Sequence, residues 1–107
     1  MNNNKQRTIN KNALFEGIGL HTGKAVVMKF LPAPENTRVV FIRSDLPNKP
    51  KIKASLENVI STNRGTVLKE NDAVVNTVGH VLSALKGLGI DNMFIDLNDL
   101  EPPVMDG

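Results

Sequence analysis

One stretch limits what this chain can fold into more than any other: Asn76-Thr77-Val78-Gly79-His80-Val81-Leu82-Ser83-Ala84-Leu85-Lys86-Gly87-Leu88-Gly89-Ile90-Asp91-Asn92. Val78, Val81, Leu82, Leu85 and Leu88 recur at the i, i+3, i+4, i+7 spacing of a helix with one apolar face. Asn76 or Thr77 offers a short polar side chain as N-cap, able to accept a hydrogen bond from an unpartnered first-turn amide. Gly87 and Gly89 supply the conformational freedom with which a chain leaves a helix. His80 then falls in the first turn, off the centre of the apolar stripe. The spacing places its imidazole at the rim of the core, within reach of a ligand.

The rest of the chain reads as short strands. A strand is expected over 6–10 and a second over 13–18, the latter turning back through Gly17-Ile18-Gly19-Leu20-His21-Thr22-Gly23 into an alternating strand over 24–31. Two glycines one residue apart invite comparison with dinucleotide-binding loops. The third glycine comes a residue late, at Gly23, and a strand follows where a helix is required, so a hairpin turn fits better. Beyond a proline-rich turn, 38–43 is a strand through Val39, Val40, Phe41 and Ile42, and 45–50 is a polar loop. The pattern over 52–60 suits a strand running into a short helix, 61–65 a turn, and 66–68 with 73–75 a hairpin. A last strand is expected over 92–97. Several short strands with one strong helix indicate an α+β fold, a mostly antiparallel sheet with helices packed on one face. One helix is thin cover, so a second near 55–60, or a partner domain, is expected to bury what remains.

Composition removes several classes of function. The chain of 107 residues is one domain, 1–107. Its 13 basic and 11 acidic side chains leave a net charge of +2, and four Phe with no Trp or Tyr offer few stacking platforms, so no nucleic-acid partner is called for. With no cysteine there is no disulfide and no thiolate metal site. The polar N-terminus lacks the apolar core of a signal peptide, and no run reaches the roughly 18 apolar residues of a membrane span. A cytoplasmic location is expected.

Five segments, in order, carry a resemblance: Gly17-Ile18-Gly19-Leu20-His21-Thr22-Gly23-Lys24, Pro32-Ala33-Pro34-Glu35-Asn36-Thr37, Ser61-Thr62-Asn63-Arg64-Gly65-Thr66, the stretch 77–92, and Pro103-Val104-Met105-Asp106-Gly107. Together they resemble the N-terminal half of the UDP-3-O-acyl-N-acetylglucosamine deacetylases, zinc hydrolases of lipid A biosynthesis. The segment 62–66 also resembles the branch in which a dehydratase is fused downstream. The resemblance implies the first of two similar α+β domains, packed with their helices between the sheets and an active site where they meet. It implies that His80 is one zinc ligand, with a histidine and an aspartate supplied by the second, C-terminal domain, which is absent from these residues. It also implies that His21 and Thr62 contact the UDP-linked substrate.

Gly79 departs from the family pattern, which has glutamate immediately before this histidine, as general base to the zinc-bound water. Glycine takes no proton, so no catalytic residue is assigned in this chain. Glu70 and Asp72 fall in a hairpin turn, and Glu101 and Asp106 follow the last strand, where they are expected to order the exit loop. Two functions are therefore expected in parallel: the N-terminal part of the deacetylase, inactive alone, or a non-catalytic descendant that serves as a protein-interaction module. On the composition alone, an unrelated small α+β binding protein also fits.

Overall fold

The computed structural model describes residues 5–63 and 65–104. Its ten elements, in chain order, are β1 (Ala13–Ile18), β2 (Ala25–Pro32), β3 (Val39–Arg43), β4 (Lys51–Lys53), a 3-10 turn (Leu56–Asn58), β5 (Val59–Thr62), β6 (Gly65–Glu70), β7 (Ala73–Val75), α1 (Gly79–Gly87) and β8 (Met93–Leu97). They form the expected α+β fold. A five-stranded sheet runs β1-β2-β8-β3-β4 and a three-stranded sheet runs β5-β6-β7. Every pairing is antiparallel except β3 with β8, where Phe41 lies beside Ile95.

Alternation in sequence decides which face of the large sheet is covered. Met93, Ile95 and Leu97 of β8 point inward and are fully buried, beside Met28 and Phe41 on the neighbouring strands and Ile52 on the edge strand β4. Val78, Val81 and Leu85 of α1, with Leu68, Ala73 and Val75 of the small sheet, complete this core. The covering layer is thus one helix plus a small sheet. The second helix expected near 55–60 is only the three-residue 3-10 turn, because the chain must be extended by Val59 to pair with β6. Arg43, 7% exposed, ties the layers: its guanidinium grips both Asp45 carboxylate oxygens at 2.9 and 2.8 Å and donates to the Val74 carbonyl at 2.6 Å.

Two local expectations fail for tertiary reasons. Residues 6–10 form no strand; the Arg7 carbonyl instead accepts the amides of Asp91 and Asn92, and Ala33 N–H donates to Thr8 Oγ1. The helix N-cap is Val78, with no side-chain cap, rather than Asn76 or Thr77. Thr77 has φ +57°, a rare conformation for a β-branched residue. It is held there from both sides, since Asn76 N–H donates to the Leu100 carbonyl at 2.8 Å and Val78 N–H to the Thr66 carbonyl at 3.1 Å. The far end behaves as its sequence predicts. Gly89 adopts φ +72°, while its N–H reaches Lys86 O and the Ile90 N–H reaches Leu85 O, a Schellman closure.

Candidate functional site

The start of α1 is where separate parts of the chain converge. The β1–β2 turn reaches it through His21, whose Nδ1 lies 3.2 Å from Thr77 Oγ1. The small sheet reaches it through Thr66, whose carbonyl takes the Val78 amide. The segment after β8 reaches it through Glu101. This last residue is 1% exposed and sits between two buried prolines and the turn it serves.

Glu101 is the residue whose role the sequence concealed. Its Oε2 accepts the amides of His21 and Thr22 at 2.8 and 2.7 Å, and its Oε1 lies 3.3 Å from His21 Nδ1. Burial works against its charge, but the Thr22 and His21 amides, the imidazole and the Thr77 hydroxyl outweigh it and hold the carboxyl below the usual glutamate range. A carboxylate so satisfied is a poor proton acceptor, which agrees with an ordering role. It orders the His21 turn as well as the exit loop. Asp106, paired with it in that expectation, lies outside the described residues.

Close approach explains one glycine of the turn. A Cβ at Gly19 would stand 2.5 Å from Thr22 Oγ1 and 2.8 Å from Glu101 Oε2, so only glycine lets the carboxylate reach the two amides. The turn is closed by Gly23 N–H donating to the Gly19 carbonyl at 3.0 Å, with Gly23 at φ +70°.

His80 is the second residue of α1 and is exposed. Gly79, beside it, has room: a Cβ there would meet only Thr66 Oγ1, at 3.8 Å, an ordinary contact. Thr62 is placed by its backbone at the tip of the β5–β6 hairpin, opposite Gly65 and one step beyond the Ser61–Thr66 pair. The structure therefore joins His21 directly to Thr77, brings Thr66 against position 79, and sets His80 one residue on. Among the described residues no three His, Cys, Asp or Glu side chains gather as metal ligands. A catalytic zinc takes three protein ligands, a set that the described residues do not bring together.

The family model for UDP-3-O-acyl N-acetylglycosamine deacetylase, LpxC, matches residues 6–107. The chain belongs to this deacetylase family. A bifunctional enzyme LpxC/FabZ of Chlorobaculum tepidum is 46% identical over 102 residues, which cover 95% of this chain and 22% of that protein. A UDP-3-O-acyl-N-acetylglucosamine deacetylase of Thioalkalivibrio sulfidiphilus is 46% identical over 103 residues, 96% of this chain and 34% of its own length. The deacetylase of Citrifermentans bemidjiense is 43% identical over 102 residues, 95% and 33%. The chain thus spans about a third or less of these deacetylase relatives. No helix among the described residues is long and apolar enough to cross a membrane.

Proposed function

We propose that this chain is the N-terminal domain, 1–107, of a zinc-dependent deacetylase that hydrolyses the acetamide of UDP-3-O-acyl-N-acetylglucosamine in cytoplasmic lipid A biosynthesis, and that the domain alone is inactive. One observation carries this reading: the family match runs through residues 6–107 and includes the turn and the helix start that meet at His21 and Thr77. In this reading His80 is one of the zinc ligands, and the others come from a C-terminal domain. Zinc, when bound, supplies Lewis acidity at the scissile carbonyl. This chain's own residues bind and orient. His21 and Thr62 contact the substrate, and Glu101 holds the turn from which His21 projects.

A second reading, a non-catalytic descendant acting as an interaction module, is favoured by Gly79. Nothing in the packing demands glycine there, since a Cβ fits at ordinary contact distance. A carboxylate at this position would serve as base; glycine cannot.

The test replaces the matching segment of the Thioalkalivibrio relative with residues 6–107, as found and with Gly79→Glu, and follows acetate release. The deacetylase reading expects Gly79→Glu to raise the rate by about 10² to 10⁴-fold, the usual contribution of a positioned base, and His80→Ala to abolish it. Equal rates would reject position 79 as the site of the base. Two folded but inert chimeras would favour the second reading.

A further inference from the structure

A buried carboxylate is costly unless its charge is met by donors. Glu101 meets that requirement almost entirely from one short turn: the His21 and Thr22 amides on Oε2 and the His21 ring on Oε1. Gly19 is bare at the one place where a Cβ would push this carboxylate away. These are two independent provisions for the same contact, one from each side of it.

The contact has a chemical consequence for the ring. An ionised carboxylate only accepts hydrogen bonds, so the nitrogen that faces it must carry the hydrogen. That nitrogen is Nδ1, 3.3 Å from Glu101 Oε1 and 3.2 Å from Thr77 Oγ1. In the neutral ring Nε2 is then left bare. The side chain is 30% exposed, and Nε2 has no partner among the described residues.

We propose that Glu101 is a positioning residue that fixes His21 in the Nδ1–H tautomer, so that Nε2 is presented beside the start of α1 as a hydrogen-bond acceptor for a ligand hydroxyl or N–H, of the kind a sugar carries. Thr77, held at φ +57°, sets its hydroxyl oxygen 3.2 Å from the same nitrogen, where it acts as a second acceptor for the Nδ1–H. The inference deepens the reading of His21 as a substrate contact and rests on it for the ligand, but the tautomer belongs to the free protein. Failure here is therefore distinguishable from failure of the deacetylase reading.

The experiment is a long-range proton–nitrogen correlation on the ¹⁵N-labelled 107-residue chain, at a pH well above the ordinary imidazole value of about 6.5. There are two histidines, and His80 serves as the reference, assigned by His80→Gln. The expected result is an Nδ1–H signal for His21 and the Nε2–H form for His80. Glu101→Gln preserves shape and an oxygen for the amides but turns an NH₂ toward Nδ1, so the His21 Nδ1–H signal is lost and Nε2–H replaces it. Gly19→Ala, by crowding the carboxylate, gives the same loss. Nε2–H in the wild-type chain overturns the proposal, as does a folded Glu101→Gln chain with its tautomer unchanged. If neither variant folds, the wild-type signal decides alone, Nδ1–H supporting and Nε2–H rejecting. A role confined to bracing the turn would not move the tautomer in Glu101→Gln.

Discussion

Glu101 and Thr77 show how much of a site can hide from its sequence. The His21–Glu101 bond joins residues 80 positions apart, and no local pattern announces it. Gly19 was visible as a turn glycine, whereas the carboxylate pressing on it was not. Thr77 has the composition of a helix cap, yet the amides on either side of it are taken by Leu100 and Thr66, which rotates its hydroxyl toward His21. His80, by contrast, falls in the first turn of α1, as helical spacing implies, but is exposed rather than at the rim of the core. The carboxylates also set the acid response. Glu101 and Asp45 both titrate below their ordinary values of 4.5 and 3.8; burial of Glu101 is outweighed by its donors, and the Arg43 hydrogen bond dominates at Asp45. A lowered folded pKa stabilises the fold above the unfolded value, and that contribution is lost as pH falls through the folded one. Thermal melts from neutral pH downward should therefore show stability falling below about 4.5. Glu101→Gln should melt lower at neutral pH and show a shallower decline through this window; an unchanged slope would mean the carboxylate is not stabilised as described.

The elements best read in advance were those whose signal is local. α1 and β8 follow from periodicities of 3.6 and 2, and the β6–β7 hairpin from turn chemistry. What the hairpin covers could not be read, because an inward-facing strand looks the same whichever sheet it joins. The small sheet lies over the large one, and Arg43 spans the gap between β3 and β7. A guanidinium does this with a planar fork that an ammonium lacks. Arg43→Lys should lose the paired contact with Asp45 and strand a buried donor or acceptor, lowering stability by roughly 1–3 kcal/mol. For a domain of this size each kcal/mol lowers the melting temperature by about 4–8 °C. A calorimetric shift under a degree would show that the lysine ammonium replaces the fork.

The packing covers most of the apolar stripe of α1 within this chain. Val78, Val81 and Leu85 are buried against this chain's own sheets, and α1 turns His80, Ser83, Ala84 and Gly87 outward. Leu88, at the C-terminal end of the same stripe, is exposed, and the other large exposed apolar side chains, Leu14, Leu20 and Leu56 among them, lie away from the helix. The 107-residue chain should therefore sediment as a monomer and unfold in one cooperative step, with coincident transitions by fluorescence-independent probes such as far- and near-ultraviolet dichroism. Concentration-dependent association would show that the outward residues are sticky after all. The strand order carries a further consequence. β8 is the last strand among the described residues, yet it lies at the middle of the large sheet, between β2 and β3. Until it arrives, the hairpins β1–β2 and β3–β4 have no strand between them, and Met28 and Phe41 lack the neighbours that bury them. During synthesis the chain emerges at about 5–20 residues per second. The large sheet forms as one body only once β8 has emerged, and a ribosome stalled short of Met93 carries two hairpins waiting for the strand that joins them.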